Sequence, residues 1–347
     1  MSRVRMFDAT LRDGSHAIRH QLSRETIADY CEAMDQAGMY TIVVGHGNGL
    51  GASSLQVGLS GLTDAEMLET ARQHLKHTRL GAYMIPGFGT IRDDLIPAIR
   101  AGVDLFKIGC HCTEADITRQ HIEYLREQNR EVYGVLMNYH MTSTERLLEE
   151  AQKMQSYGAQ GIILMDSAGA STPEMVKQTI AELTDHLYVL VGFHPHNNMG
   201  LAVANAYTAI QEGARIIDGT LRGFGAGAGN VQLEALAALL MKEGYALNQD
   251  LYAMLDASEQ IVRKVMPEDR ALTDVSIISG MAGVFSSFQT QVRAAAEAFG
   301  VDPRDIFLEL GKRKVVGGQE DMVVAVAEQL SRPVNPDAES YMLESLS

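Results

Sequence analysis

The sequence predicts an α/β protein, a (β/α)8 TIM barrel followed by a C-terminal helical domain. Eight short runs rich in β-branched residues occur between residues 4 and 218, and segments with helical periodicity separate them. The runs are apolar throughout, as strands buried on both faces must be. Eight such strand–helix units are typical of a TIM barrel. A doubly wound open sheet is the alternative, but no G-x-G-x-x-G motif follows the first run.

The eight apolar runs are the predicted barrel strands. In chain order they are Val4–Ala9, Thr41–Gly45, Leu80–Met84, Leu105–Gly109, Val132–Met137, Gly161–Met165, Tyr188–Phe193 and Arg215–Asp218.

The segments between the strands carry helix start and stop signals. Ser23 is a predicted N-cap with Glu25 two residues later, and Thr172 precedes a proline at a first helical position. A glycine follows most of these segments, as is common after a helix. The predicted helices are Ser23–Ala37, Ile91–Ala101, Thr144–Tyr157, Pro173–Leu183, Leu201–Glu212 and Asn230–Glu243.

The pattern changes at about residue 265, after which helical segments occur without strands. The stretch KVMPEDR, at 264–270, predicts a linker, and the polar tail at 332–347 with its two prolines predicts a frayed end. We therefore expect a barrel domain at 1–265 and a helical domain at 266–347. The predicted helices of the second domain are Ser286–Phe299, Pro303–Gly311 and Asp321–Leu330.

The composition excludes several classes of partner. The chain of 347 residues carries 29 basic and 44 acidic side chains, a formal net charge of −15. Such a balance disfavours nucleic acid and anionic membranes. No apolar run approaches the length of a membrane-spanning helix, and the first residues lack the apolar core of a signal peptide. Three cysteines fit a reducing cytoplasm. Cys110 and Cys112 have no second pair, so we interpret them as core or loop residues.

Reactive groups of a TIM barrel gather at the carboxyl ends of its strands. Arg12, Asp13 and His16 follow the first predicted strand, and a solvated loop with an ion pair is the alternative interpretation. His194 and His196 follow the seventh strand, and alternate residues of an extended chain point to the same side. Two imidazoles and one carboxylate leave open positions for substrate, as a catalytic divalent-metal site requires. Two core histidines are the alternative.

Two further loops complete the set of candidates. The glycine-rich segment 223–229 is followed by Asn230. It could bring its backbone close to a ligand, and a flexible loop is the alternative. It lacks a P-loop lysine, so nucleotide binding is not predicted. Ser167 follows the sixth strand without a G-x-S-x-G elbow, which argues against a serine hydrolase.

The motifs together resemble a known family. The segments TLRDGSHAIRHQ, HCTEAD, MDS, H-x-HNN, GAGAGN and VVGGQEDMVV occur in this order. They are similar to those of the 4-hydroxy-2-oxovalerate aldolases, pyruvate-specific class II aldolases related to HMG-CoA lyase and to the isopropylmalate and homocitrate synthases. TLRDG and H-x-H are shared by this whole superfamily, whereas GSHAIRHQ and VGGQEDM are specific to the aldolases.

The resemblance implies a role for each candidate residue. Asp13, His194 and His196 would hold a divalent ion, usually Mn²⁺, and Arg12 would stabilise the pyruvate enolate that cleavage of the C3–C4 bond leaves. His16 would be the base that accepts the proton of the C4 hydroxyl. The implied substrate-binding residues are Arg12, Asp13, Ser167, His194 and Phe285, and Asn230 is a weaker metal candidate. This chemistry needs no Schiff base, so Lys107 can be structural.

Three positions depart from the family pattern. Phe285 replaces a tyrosine whose hydroxyl contacts substrate, Val43 replaces an acidic residue on the second strand, and Asn48 replaces an aspartate in the loop HGDGL. The metal, arginine and base positions are intact. The resemblance therefore implies retro-aldol cleavage of a 4-hydroxy-2-oxo acid to pyruvate and a short aldehyde, acetaldehyde by default.

Several alternatives stay open on the sequence. They are an acyl-CoA lyase or Claisen-type condensing enzyme of the same superfamily, an aldolase with an altered aldehyde, and a non-catalytic partner protein. The resemblance also implies a cytoplasmic, oligomeric enzyme of aromatic hydrocarbon catabolism. Its region from about 270 to 335 would dock an acylating aldehyde dehydrogenase.

Overall fold

Eight parallel strands form a closed barrel in the computed structural model, which describes residues 4–331 except 267, 269, 270, 286 and 287. Each strand pairs with the next, and the last pairs with the first. The predicted barrel and all eight predicted strands are thereby confirmed. The strands are β1 Arg5–Asp8, β2 Thr41–Val43, β3 Arg79–Met84, β4 Leu105–His111, β5 Glu131–Met137, β6 Gly161–Asp166, β7 Leu190–Pro195 and β8 Ile216–Gly219.

Helices surround the barrel and continue beyond it. The helices up to residue 265 are α1 Thr10–Asp13, α2 Arg24–Gln36, α3 Asp64–His74, α4 Ile96–Arg100, α5 Arg119–Glu127, α6 Thr144–Ser156, α7 Pro173–His186, α8 Ala202–Gln211, α9 Leu233–Lys242, α10 Leu251–Ala257 and α11 Arg263–Val265. The later ones are α12 Asp274–Ala282, α13 Gln289–Phe299, α14 Pro303–Lys312 and α15 Asp321–Ser331.

The predicted helix signals act as expected. The Ser23 hydroxyl accepts a hydrogen bond from the Thr26 backbone N–H, and Thr172 caps α7 in the same way. Helix α3 was not among the predicted helices, although Thr63 and Glu66 form a reciprocal capping box at its start. Such a box is a signal that can be found in the sequence.

Successive strand residues alternate between two apolar regions. One set packs against the surrounding helices, and the other set fills the inside of the barrel. The inner set comprises Phe7, Val43, Tyr83, Leu105, Tyr133, Val135, Ile163, Met165 and Ile216. At the amino ends of the strands, Arg5 donates hydrogen bonds to the Tyr40 and Tyr133 hydroxyls, both at 2.9 Å, and closes that end.

The C-terminal helices have an apolar cluster of their own. It comprises Val275, Val284, Phe288, Val292, Ala295, Ala296, Ile306, Phe307, Leu310, Val315, Val323, Val326 and Ala327. Polar contacts join these helices to the barrel. Asn198, in the loop after β7, donates a hydrogen bond to the Ser279 hydroxyl at 2.9 Å, and His140 Nε2 lies 3.1 Å from the Gly283 carbonyl. The domain boundary after residue 265 stays a prediction, and the predicted frayed tail at 332–347 lies outside the described residues.

Within the described residues, no helix is both long and apolar enough to span a membrane. All three cysteines are buried and free of disulfides. Cys110 and Cys112 are thus core residues, as expected.

Candidate active site

The turn that follows β1 places Arg12 and Asp13 at the carboxyl end of the barrel. Its shape depends on Asp8, whose carboxylate accepts hydrogen bonds from the Thr10 backbone N–H at 2.9 Å and from the Tyr30 hydroxyl at 2.6 Å. Burial raises the pKa of Asp8 to about 6. The chain then enters the short helix α1, which ends at Asp13.

Asp13, His194 and His196 form a buried group with the geometry of a metal site. Their ligand atoms all lie within 4.8 Å of one another. The three residues are 3%, 0% and 4% exposed, respectively. Strand β7 presents His194 and His196 on one side because they are two residues apart. The structure thus brings together the three residues that the sequence placed at a metal.

The Asp13 carboxylate is ionised in this setting. Its Oδ2 accepts a hydrogen bond from Arg12 at 2.7 Å, and its Oδ1 accepts one from the Asn230 amide at 2.9 Å. Burial alone would raise the pKa of Asp13, but Arg12 and His196 outweigh it and hold that pKa well below its usual value. Burial lowers the pKa of His196 to about 3. A charged carboxylate beside a neutral imidazole is the protonation state that a metal requires.

The glycine-rich segment 223–229 packs directly against Asp13. The Ala226 backbone N–H donates a hydrogen bond to Asp13 Oδ1 at 3.2 Å. A Cβ atom at Gly225 would lie 2.6 Å from that same oxygen and 2.3 Å from Asn230 Nδ2, so only glycine fits there. In the described structure, this loop thus holds the carboxylate of the candidate metal site in place.

The donor atoms fit a divalent ion. Both ring nitrogens of His194, Nδ1 of His196 and Oδ1 of Asn230 are buried without a hydrogen-bond partner among the described residues. Buried polar atoms seldom stay unpaired. One carboxylate with two imidazoles is a common set for a divalent transition metal. Together with Asp13, these atoms can hold such an ion.

Arg12 lies beside the metal group with part of its guanidinium free. One nitrogen binds Asp13 and the Gly47 carbonyl, whereas Nε and Nη2 are buried without a hydrogen-bond partner. The guanidinium carbon lies 4.9 Å from the centre of the Tyr83 ring. A fixed cation with free N–H groups can bind a carboxylate or a developing negative charge.

His16 belongs to a cluster of three histidines. Its ring centre lies 5.0 Å from that of His20 and 6.5 Å from that of His46. Burial and the neighbouring Arg12 lower the pKa of His16 to about 4, although Asp13 opposes this shift. The imidazole is therefore neutral at neutral pH and can accept a proton.

His20 and His46 were not identified from the sequence, and they fix the surroundings of His16. Their rings stack with 3.6 Å between centres. The Gly47 and Asn48 backbone N–H groups donate to Nδ1 of His20 and of His46, at 3.4 and 3.0 Å. The remaining Nε2–H of His46 donates to the Gly58 carbonyl at 3.1 Å. His20 lies in the motif TLRDGSHAIRHQ and His46 begins the loop at 46–50, so their place in these motifs could have identified them.

Asp218 and Lys107 are also functional candidates that the sequence did not indicate. Both are fully buried, and Lys107 Nζ lies 2.5 Å from Asp218 Oδ2. The same oxygen lies 3.0 Å from His194 Nδ1. Burial alone would raise the pKa of Asp218, but Lys107 and His194 outweigh it and lower that pKa. A carboxylate thus lies behind the imidazole of His194, a candidate metal ligand.

Ser167 and Phe285 lie in different surroundings. Ser167 directly follows the last residue of β6, which pairs with Pro195 at the end of β7. Its hydroxyl accepts a hydrogen bond from the Asn138 backbone N–H at 3.2 Å. Phe285 is partly buried and packs against the apolar cluster of the C-terminal helices. The substrate contacts of both residues stay predictions.

Comparison with known proteins identifies the family to which each part of the chain is similar. The HMGL-like family matches residues 3–261, and the DmpG-like communication domain matches residues 270–332. The carboxyl transferase domain of Rhizobium etli pyruvate carboxylase superposes with a TM-score of 0.79 at 15% identity, over 95% of this chain and 60% of that one. At this identity the likeness concerns the fold alone. Fold and site together define an HMGL-like barrel with a candidate metal centre.

Relatives define the family more narrowly. The 4-hydroxy-2-oxovalerate aldolase of Pectobacterium atrosepticum is 52% identical over 95% of this chain and 96% of its own. That of Spirochaeta aurantia is 51% identical over 93% and 95%. The chain belongs to the 4-hydroxy-2-oxovalerate aldolase family, whose members are carbon–carbon lyases. The resemblance inferred from the motifs is confirmed, and the acyl-CoA alternatives lose support.

The packing of Gly225 yields a first prediction. Gly225→Ala would push a methyl group between Asp13 and Asn230, so we expect divalent-ion affinity to fall by about 10- to 100-fold, the usual effect of disturbing groups behind a metal ligand. Titration of Mn²⁺ into metal-free protein by calorimetry measures this. Gly317→Ala is the control, because nothing lies within 4 Å of its added Cβ. Wild-type affinity in Gly225→Ala would contradict the described packing.

Proposed function

We propose that this chain cleaves 4-hydroxy-2-oxopentanoate to pyruvate and acetaldehyde in a metal-dependent retro-aldol reaction. The observation that carries the proposal is the buried group of Asp13, His194 and His196 beside the partly free guanidinium of Arg12. It occurs in a chain about half identical to 4-hydroxy-2-oxovalerate aldolases. The metal that best suits this oxygen and imidazole set is Mn²⁺ or a similar divalent ion.

Substrate binding depends on the charges of the site. A bound divalent ion supplies Lewis acidity to the 2-oxo carbonyl. Arg12 directs its free N–H groups at the negatively charged end of the 2-oxo acid. Ser167 contributes a hydroxyl beside β7. The site excludes most water, since its ligands are almost fully buried, and this strengthens each of these electrostatic interactions.

Bond cleavage then needs one base and one stabilised anion. Neutral His16 accepts the proton of the C4 hydroxyl, the C4–O bond becomes the aldehyde carbonyl, and the C3–C4 bond breaks. The electron pair of that bond forms the C2=C3 double bond of the enolate, and the carbonyl π pair moves onto the C2 oxygen, where the positive charge of Arg12 stabilises it. The proton held by His16 is available to return to C3, which completes pyruvate.

A second candidate is the same reaction with another aldehyde. The residue that favours it is Phe285, which keeps an aromatic ring but has no hydroxyl where the family has tyrosine. The missing donor would leave the C4 oxygen less firmly held. A more apolar aldehyde or weaker stereocontrol at C4 follows from this.

Metal removal tests the central feature. Chelation followed by desalting should abolish cleavage of 4-hydroxy-2-oxopentanoate, because no other group present replaces the Lewis acid, and added Mn²⁺ should restore it. Pyruvate formation is followed with a coupled dehydrogenase assay, and mock-treated protein is the control. Full activity in a preparation verified as metal-free would refute the mechanism.

The base is tested by His16→Ala. This change should lower kcat by about 10²- to 10⁴-fold, the usual contribution of one positioned base. Exchange of the pyruvate methyl protons, followed by NMR, should suffer less because Arg12 and the metal group remain. His186→Ala, at an exposed position on α7, is the control. An unchanged kcat in His16→Ala would place the base elsewhere.

Substitution of Phe285 by tyrosine tests the aldehyde pocket. A regained hydrogen bond is worth about 0.5–1.5 kcal/mol, so Phe285→Tyr should raise activity on the 4S pentanoate several-fold and increase the 4S/4R ratio. Both enantiomers are assayed under identical conditions. If neither rate nor ratio changes, Phe285 does not face the substrate.

The C-terminal helices are the proposed contact for an acylating aldehyde dehydrogenase, which would consume the aldehyde. Three apolar residues on or before α12 are exposed, among them Met281 at 59%. Met281→Asp should reduce co-elution with a co-expressed dehydrogenase in size-exclusion chromatography, because it puts a charge into an apolar contact. Tyr188→Asp, at a 96% exposed position on the barrel, is the control. Light scattering of the chain alone tests the predicted oligomer, and wild-type protein that never co-elutes would count against the partner.

A further inference from the structure

Three charged or titratable side chains meet inside the barrel, behind the metal group. Lys107 on β4, Asp218 on β8 and His194 on β7 all point inward, next to the apolar set that fills the inside of the barrel. Asp218 Oδ2 is the shared atom: it lies 2.5 Å from Lys107 Nζ and 3.0 Å from His194 Nδ1. All three side chains are completely buried.

A buried ion pair by itself is a weak way to stabilise a fold. Removing two charges from water costs about as much as their attraction returns, and apolar replacements are often neutral or better. The pair of Lys107 and Asp218 therefore needs another reason. The third contact supplies one, because it lies on the side of His194 away from Asp13, whose Oδ2 is 4.0 Å from His194 Nε2.

We infer that Asp218, held in place by Lys107, is the positioning residue for the metal ligand His194. A proton on His194 Nδ1, 3.0 Å from Asp218 Oδ2, would face that carboxylate and would leave Nε2 unprotonated and directed at Asp13. The carboxylate fixes both the tautomer and the orientation of the ring. Such groups behind a ligand are worth about 10- to 100-fold in metal affinity.

Lys107 serves the carboxylate, not the imidazole. Its ammonium group donates to the same Oδ2 that faces His194, and it lies 5.8 Å from the centre of the Tyr83 ring. This ring also faces Arg12. The ammonium group of Lys107 favours the charged form of Asp218, which can then only accept hydrogen bonds. Lys107 thereby has a role beyond the structural one.

The inference rests on the metal site of the proposed function. The decisive variant is the double change Lys107→Met with Asp218→Asn, which removes both charges together and leaves no buried ion unpaired. We expect Mn²⁺ affinity, measured by calorimetry on metal-free protein, to fall about 10- to 100-fold. Glu131→Gln is the matched control, since Glu131 pairs with Arg5 and Arg79 at the opposite end of the barrel. It should bind Mn²⁺ as the wild type does.

A second measurement needs no variant. Nitrogen-15 NMR of histidine in the metal-free wild-type protein should show His194 with its proton on Nδ1, and the double variant should lose this preference. A proton on Nε2 in the wild type, or a folded double variant with wild-type Mn²⁺ affinity, overturns the inference alone. Wild-type protein that binds no Mn²⁺ overturns the proposed function as well.

Discussion

The rest of the site depends on the buried, ionised carboxylate of Asp13. Such a carboxylate must be surrounded by hydrogen-bond donors or positive charges. Without such partners a buried carboxylate takes up a proton, because an unpaired charge in this setting costs more than a typical domain can compensate. Arg12 supplies the countercharge from the same turn, and Asn230 and Ala226 supply N–H groups from the far end of the barrel sequence. The first and last strand loops therefore have to meet, which a barrel closed between β1 and β8 allows.

The inside of the barrel is mostly apolar, and an ion pair lies within it. Lys107 and Asp218 each follow an apolar inner residue, Leu105 and Ile216, by two positions on their strands, so they point to the same side. Their ion pair therefore lies nearer the carboxyl ends of these strands than those apolar side chains do, next to His194.

Much of this arrangement could be predicted from the sequence. The apolar runs were sufficient for all eight strands, and the position of His194 after one run and Asp13 after another placed them at the same barrel end. The inward face of each strand depends on the closed register, so the contact of Lys107 with Asp218 could not be read from their separation of over a hundred residues. Likewise, the stacking of His20 on His46 depends on loops whose backbone includes a positive φ at His20, which local patterns do not specify.

Three glycines pack so closely against side chains in or next to the site that a Cβ atom at any of them would overlap a neighbour. A methyl group at Gly14 would lie 2.2 Å from the Phe224 ring, and one at Gly47 would lie 2.4 Å from the His16 ring. Gly225 is equally confined between Asp13 and Asn230. Even a change to alanine at one of these positions would require a neighbouring side chain to move. A change of substrate preference would therefore have to come from residues other than these three glycines.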